Sequence, residues 1–189
     1  MRRSGVLLPV TSLPSRFGIG TFSKEAYAFV AFLKEAGQKL WQILPLGPTG
    51  YGHSPYQAFS TFAGNPYLID LEELIENGWL TEEECENTDW GGSKSYVDYE
   101  KMYQGRFPLL RKAYHNSHIA ENAEFIAFCE ENDWWLSDYA LFMAIKDSQG
   151  GASFLEWDAP LKLREPEAIR RCRHELSDEI CFWQFLQYL

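Results

Sequence analysis

The sequence predicts an α/β fold whose first part contains two parallel strands joined by a helix. Residues 6–10 and 40–44 are short apolar runs, typical of strands buried on both faces. Between them, apolar residues recur at helical spacing from Ala26 to Leu33, through Phe29 and Val30. Ser23 is placed to cap this helix and Gly37 to stop it. Strands joined in this way run parallel, so their carboxyl ends lie at one edge of the sheet.

The chain changes character at Asp70. Residues 1–69 hold six basic and two acidic side chains, whereas residues 70–189 hold eleven basic and twenty-five acidic ones. Beyond this point the pattern becomes helical, and the spacing of Thr81 and Glu84 is that of a capping box. Helices are predicted over residues 71–77, 96–114, 122–132, 134–146 and 180–189. The chain therefore divides into an α/β part, residues 1–70, and a mainly helical part, residues 71–189.

The last predicted helix has a wide apolar face and no Gly, Pro or basic last turn to close it. The chain has 189 residues, whereas a complete eightfold β/α barrel needs roughly 250. We therefore expect the sequence to be the N-terminal portion of a longer polypeptide.

Composition excludes several classes of function. Seventeen basic and 27 acidic residues give a net charge of −10, which repels phosphate backbones and anionic lipid surfaces. Residues 6–8 are apolar, but Pro9 interrupts them long before signal-peptide length, and no later run could span a bilayer. The four cysteines have no CxxC spacing. We expect a cytoplasmic protein with reduced thiols, no metal site, and neither nucleic acid nor membrane as a partner.

The loop from Pro45 to about Gly64 is the strongest candidate for function. It is dense in Gly, Pro, Tyr and Ser and is too long to serve only as a connection. It follows the second strand, and ligands of parallel β/α folds bind at the carboxyl ends of strands. Tyr51 and Tyr56 can offer ring faces to a pyranose, while the Ser54 hydroxyl bonds its hydroxyl groups. The alternative is a glycine-rich turn whose tyrosines pack on the scaffold.

Other motifs are weaker. Gly18-Ile19-Gly20 has two of the glycines of a dinucleotide-binding loop, but Ser23 stands at the third position. Residues 47–54 have the glycine spacing and final hydroxyl of a phosphate-binding loop, but His53 replaces its lysine. No G-x-S-x-G elbow frames Ser54, so this hydroxyl is better suited to hydrogen bonding than to nucleophilic attack.

Two further clusters are interpreted as surface features. His115 and His118 can share a helical face, but no nearby acid or cysteine completes a metal-ligand set. The acidic residues between Asp70 and Asp89 lie at helical spacing beside capping signals, which is typical of a solvated face. Neither cluster is assigned a catalytic role.

The chain resembles the N-terminal region of the 4-α-glucanotransferases, also called amylomaltases or disproportionating enzymes, of glycoside hydrolase family 77. The matching segments run from Arg3 to Pro9, Ser12 to Ser15, Phe17 to Gly20, Trp41 to Pro48, Ser54 to Tyr56 and Gly64 to Asp70. The resemblance is dense up to about residue 80 and compatible with the helical remainder. His53 stands where Asp or Asn is commoner in the family.

The resemblance implies the N-terminal part of a (β/α)8 TIM barrel with a helical insertion subdomain. Residues 1–70 would supply the first barrel β/α units and a substrate-rim loop, and residues 71–189 the insertion and a following barrel helix. It also implies transfer of α-1,4-glucan segments between maltooligosaccharides by a retaining double displacement, without a cofactor. The catalytic carboxylates of the family lie in later barrel strands, so none is assigned here.

The resemblance also implies roles for three residues of the loop. Tyr56 resembles the family tyrosine that lines the subsite next to the scissile bond, and Ser54 resembles a neighbouring donor to the glucan. Tyr51 resembles an aromatic residue that some members use at a secondary glucan site. Two other classes of function stay open: a non-catalytic α-glucan-binding module that uses the same loop, and an unrelated helical interaction domain.

Overall fold

The computed structural model describes residues 2–50, 52–93 and 95–189. The chain forms two compact units, one ending at Ser117 and the other running from His118 to Leu189. The change of pattern at Asp70 therefore lies inside the first unit, and the functional division at residue 70 stays a prediction.

The first unit contains the predicted strand–helix–strand arrangement. Strand β1 (Gly5–Leu7) pairs in parallel with β2 (Leu40–Gln42), and helix α1 (Lys24–Glu35) connects them. Gly5 lies opposite Leu40, and a Cβ atom at Gly5 would be 2.4 Å from the Leu40 carbonyl oxygen. The absence of a side chain at Gly5 therefore permits the close approach of the two strands.

The predicted ends of α1 are confirmed, but its cap differs in detail. Ser23 occupies the N-cap position, yet its hydroxyl donates to the Glu25 carboxylate at 2.7 Å instead of accepting from a helix N–H group. Gly37 follows the helix with a positive φ of 72°, and its N–H donates to the Lys34 carbonyl at 3.1 Å. This left-handed conformation is the one that favours glycine after a helix.

The expectation that both strands are buried was wrong. Leu7 is 56% exposed and Leu40 is 49% exposed, because the described residues form only a two-stranded sheet and cover little of its surface. Val30 of α1, predicted to lie on the apolar face, is 50% exposed, whereas Ala26 and Leu33 of the same helix are buried. The apolar pattern of the sequence alone therefore did not show which side chains of the first unit are buried.

The described α-helices that follow the strands in the first unit are α2 (Leu71–Glu76), α3 (Glu82–Glu86) and α4 (Tyr99–Ser117). The predicted capping box begins α3, because the Thr81 hydroxyl accepts from the Glu84 N–H and the Glu84 carboxylate accepts from the Thr81 N–H. The Asp70 carboxylate caps α2 by accepting from the Glu72 N–H at 3.1 Å. Met102 and Leu110 of α4 are both fully buried and lie in the core of this unit.

The regular structure of the second unit consists of helices in its described residues. Its helices are α5 (Ala123–Glu131), α6 (Asp133–Ser148), α7 (Ala159–Lys162), α8 (Pro166–Glu175) and α9 (Ser177–Tyr188). Phe182 and Phe185 of α9 and Leu136 of α6 are almost completely buried. The Trp183 indole N–H of α9 donates to the Asp147 carboxylate of α6 at 2.9 Å. The predicted helix over residues 180–189 is thus confirmed as part of α9.

The described residues show the state of the cysteines and allow a search for membrane-spanning helices and for metal sites. Cys85, Cys129, Cys172 and Cys181 are free thiols. The described helices include none whose length and apolar character would suit a bilayer crossing. His, Cys, Asp and Glu side chains do not gather in threes that could hold a metal ion anywhere in the described ranges.

Gly20 offers a test of the packing beside β1. A Cβ atom at this position would lie 2.2 Å from the Val10 carbonyl oxygen and 2.8 Å from the Leu13 backbone nitrogen. Because backbone atoms would have to move, we expect Gly20→Ala to lower the free energy of unfolding by about 2 kcal/mol in urea denaturation. The control is Gly92→Ala, whose Cβ atom would meet nothing within 4 Å. Equal stability of the two variants would contradict the packing described here.

Candidate functional site

The long loop after β2 is closed by pairing between its two arms. Thr49 and Ala58 form an antiparallel bridge, and the Asn65 N–H donates to the Leu46 carbonyl at 2.8 Å. A Cβ atom at Gly47 would lie 2.9 Å from the Ala58 Cβ atom, so the two arms approach closely. The described residues between these contacts, 50 and 52–57, form the tip of the loop.

A cleft of about 130 Å³ lies beneath this loop. One wall is Pro9–Thr11, which follows β1, and a second wall is Leu44–Leu46, which follows β2. Thr49 and His53 of the loop also line it. Because β1 and β2 are parallel, both walls begin at the carboxyl ends of the strands. The cleft therefore lies where ligands bind in parallel β/α folds.

The turn that carries the predicted site residues projects a tyrosine into solvent. The Gln57 N–H donates to the Ser54 carbonyl at 3.1 Å, which closes a turn with Pro55 and Tyr56 at its centre. Tyr56 is 74% exposed, whereas Ser54 is half-buried. The structure thus brings Tyr56 and Ser54 together beside the cleft. Tyr51, the third predicted residue, lies outside the described residues.

An aromatic cluster supports the loop from below, and we define it as His53, Tyr67, Tyr99 and Phe107. The ring of His53 is parallel to that of Tyr99, with centroids 4.2 Å apart and an interplanar angle of 8°. Tyr67 lies edge-on to Tyr99 at 5.9 Å and to Phe107 at 6.0 Å. Tyr99 and Phe107 belong to α4, so the helical part of the first unit contributes directly to the site.

Tyr67 is the buried member of the aromatic cluster. Burial raises the pKa of its phenol to about 12, because the phenolate would lose its hydration. The Tyr67 N–H donates to the Asn65 carboxamide oxygen at 3.0 Å, which fixes the start of the short helical turn Pro66–Leu68. Asn65 also lines the cleft. The cluster and the cleft are therefore connected through one short segment.

Arg106 of α4 lies fully buried behind this segment. Its Nη2 atom donates to the Ile69 carbonyl, whereas its Nε and Nη1 atoms have no hydrogen-bond partner in the described part of the chain. Burial lowers the pKa of Arg106 to about 10, and the neighbouring Asp70 carboxylate acts in the opposite direction. Sequence analysis missed Arg106, because an arginine in a helix is typical of an exposed position.

The two glycines of the considered dinucleotide-binding loop have another role. A Cβ atom at Gly18 would be 2.4 Å from the Met102 side chain, and one at Gly20 would be 2.2 Å from the Val10 carbonyl oxygen. Gly20 is buried and Gly18 is partly buried. They permit close packing of protein against protein, so this loop is not open to a pyrophosphate.

Comparison with known proteins places the chain in a family. The family model described as 4-alpha-glucanotransferase, glycoside hydrolase family 77, matches residues 8–189. The chain belongs to this family. The 4-alpha-glucanotransferase of Thermus thermophilus is 47% identical over the whole chain, and that of Clostridium butyricum is 45% identical over 95% of it. The family resemblance of the sequence is thereby confirmed.

Solved structures agree with this assignment. Amylomaltase from Streptococcus agalactiae in complex with acarbose has a TM-score of 0.94 and 44% identity, and it covers the whole chain. Amylomaltase from Corynebacterium glutamicum, at 18% identity and a TM-score of 0.70, shares the fold. The chain spans 37% of the length of the Thermus and Clostridium relatives and 38% of the Streptococcus structure.

Burial of Tyr67 predicts how this phenol ionises. Because its pKa is raised to about 12, the phenol stays protonated at a pH where an ordinary tyrosine, of pKa about 10, is half ionised. We expect the difference in phenolate absorbance between the protein and Tyr67→Phe to develop only near pH 12. A difference that develops near pH 10 would show that Tyr67 is hydrated. Circular dichroism at each pH controls for unfolding.

Proposed function

We propose that the chain supplies the N-terminal part of a 4-α-glucanotransferase with a (β/α)8 barrel. In this proposal β1 and β2 are the first two barrel strands, residues 45–64 form part of the substrate rim, and residues 71–189 form a helical insertion and a following barrel helix. Membership of the family supports this, as does the share of each relative that the chain spans. The exposed faces of β1 and β2 would then pack against the remaining barrel.

The proposed reaction is the transfer of α-1,4-glucan segments between maltooligosaccharides by a retaining double displacement. An Asp attacks the anomeric carbon and gives a glucosyl-enzyme, while a Glu protonates the leaving oxygen. The Glu then removes a proton from the hydroxyl of the acceptor sugar, which attacks the glucosyl-enzyme and takes the glycosyl group. A second Asp stabilises the transition state. These carboxylates belong to later strands, so this chain contributes binding and positioning only.

The position of Tyr56 carries this proposal. Its ring is 74% exposed on a turn beside the cleft at the carboxyl ends of β1 and β2. An exposed aromatic face is suited to packing against the apolar face of a glucose ring, while its phenol and the Ser54 hydroxyl can bond sugar hydroxyls. Tyr51 is proposed to contribute to a secondary glucan site. The bound acarbose of the Streptococcus relative supports a carbohydrate ligand.

The charge of the chain supports neutral glucans as partners. A net charge of −10 disfavours nucleic acid and anionic lipid. A cytoplasmic location is proposed because the four cysteines are free thiols, and reduced thiols are typical of that compartment.

Replacement of Tyr56 tests its role. In the complete polypeptide that carries this sequence, we expect Tyr56→Ala to reduce disproportionation of maltotriose by about a hundredfold, because a misplaced sugar loses the orientation needed for transfer. Tyr56→Phe keeps the ring and should retain most of the activity. Tyr27→Ala, which removes a 79% exposed tyrosine from α1, is the matched control. Unchanged transfer by Tyr56→Ala would refute the role of this ring.

An assay of the 189-residue chain by itself tests whether catalysis depends on residues outside it. We expect it neither to release glucose nor to transfer glucosyl groups when incubated with maltotriose, because the catalytic carboxylates are assigned to later strands. Release and transfer are measured by chromatography of the oligosaccharide products. Activity of the purified chain would overturn the assignment of all catalytic carboxylates to those strands. A complete natural polypeptide that binds maltoheptaose without transferring glucosyl groups would favour the glucan-binding module instead.

A further inference from the structure

His53 is the residue of the loop tip that contacts α4 through its ring. Its ring lies parallel to that of Tyr99, with the two centroids 4.2 Å apart, and its centroid is 6.4 Å from that of the Tyr67 ring. Tyr99 lines the cleft together with Thr11, which follows β1. The stack therefore links the loop to a residue of α4 at the wall of the cleft.

The backbone at His53 needs this support. Gly52 and His53 both have positive φ values, 88° and 54°. Glycine adopts this region freely, whereas any other residue adopts it at a cost, which is smaller for Asn, Asp and His than for bulkier residues. Among the described residues, the local turn contributes one backbone hydrogen bond, from the His53 N–H to the Gly50 carbonyl at 3.1 Å. The ring contact offsets the remaining cost of the left-handed conformation.

The contact acts through the face of the ring. The Nδ1 atom of His53 is buried and has no hydrogen-bond partner in the described structure. A hydrogen bond from this nitrogen therefore does not hold the loop in place. Stacked aromatic rings stabilise a structure beyond the area that they bury, so an aromatic ring without nitrogen should serve at this position.

We propose that His53 is a positioning residue for the loop segment that carries Ser54 and Tyr56. Stacking on Tyr99 holds the Ser54–Gln57 turn in one orientation beside the cleft, so that the ring of Tyr56 is ordered before a sugar binds. His53 acts through Tyr56 and has no assigned contact with substrate. The kinetic part of this proposal rests on the proposed function, whereas the ordering of the loop does not.

Hydrogen exchange tests the ordering without any assay of activity. In the complete polypeptide, His53→Asn keeps a residue that tolerates the left-handed backbone and removes the stack, whereas His53→Phe keeps a ring that can stack. We expect amide exchange over residues 52–58 to be about two- to tenfold faster in His53→Asn. Exchange in His53→Phe should lie between that of the wild type and that of His53→Asn, because the stack is kept but Phe adopts the left-handed backbone at a higher cost than His. His174→Asn, on the exposed surface of α8, is the matched control.

The partner ring provides a second comparison. Tyr99→Leu removes the other half of the stack, so its exchange over residues 52–58 should also be faster. Because both changes remove the same interaction, the double variant His53→Asn/Tyr99→Leu should exchange no faster over this segment than Tyr99→Leu alone. Additive effects of the two single changes would overturn the assigned stack.

Kinetics tests the consequence for the reaction. A loop that is ordered for only part of the time weakens apparent binding by that fraction, so KM for maltotriose should rise about two- to tenfold in His53→Asn while kcat changes by less. The rise in KM should be smaller in His53→Phe, because this variant keeps the stack. Thermal melting of each variant shows whether the whole fold is affected.

Three further results would overturn the proposal: unchanged exchange over residues 52–58 in His53→Asn, exchange in His53→Phe as fast as in His53→Asn, or faster exchange spread over β1, β2 and α4. The last result would assign His53 a general structural role. A wild-type polypeptide that does not transfer glucosyl groups would refute the proposed function. In that case the exchange measurements would still decide the ordering of the loop.

Discussion

The parallel pairing of β1 with β2 is the constraint on which the site depends. Gly5 permits the approach of Leu40, because any side chain there would meet the Leu40 carbonyl oxygen. Parallel strands deliver the segments that follow them to the same edge of the sheet. Pro9–Thr11 and Leu44–Leu46, separated by more than thirty positions in the sequence, therefore become two walls of one cleft. The long loop begins at that edge for the same reason.

The helical region of the first unit completes the site from the other side. Tyr99 and Phe107 of α4 pack against Tyr67, and Arg106 of the same helix donates to the Ile69 carbonyl. Burying a guanidinium with two nitrogen atoms unpartnered in the described structure is costly. This cost is consistent with a local role in holding the segment that ends the loop. The acidic part of the sequence that follows residue 70 therefore contributes residues to the site itself.

Several elements could be predicted because their signals are local. The capping box of Thr81 and Glu84, the stop at Gly37 and the spacing of α1 depend only on residues within one or two turns of each other. The exposure of Leu7 and Val30 was not predicted, because burial depends on which other elements cover a surface. The buried Arg106 was missed for the same reason, since the sequence does not show which residues pack over an arginine side chain.

By itself, the sequence determined that a strand–helix–strand unit precedes a long loop rich in glycine and tyrosine, and it determined the family. It also indicated that Tyr56 and Ser54 lie on that loop, because both belong to one short motif. The tertiary structure alone decided that His53 stacks on Tyr99, 46 positions further along the chain. Such a contact depends on how α4 packs beneath the loop. The free energy of that packing is a sum over many residues that are distant in the sequence, so a local sequence pattern does not predict it.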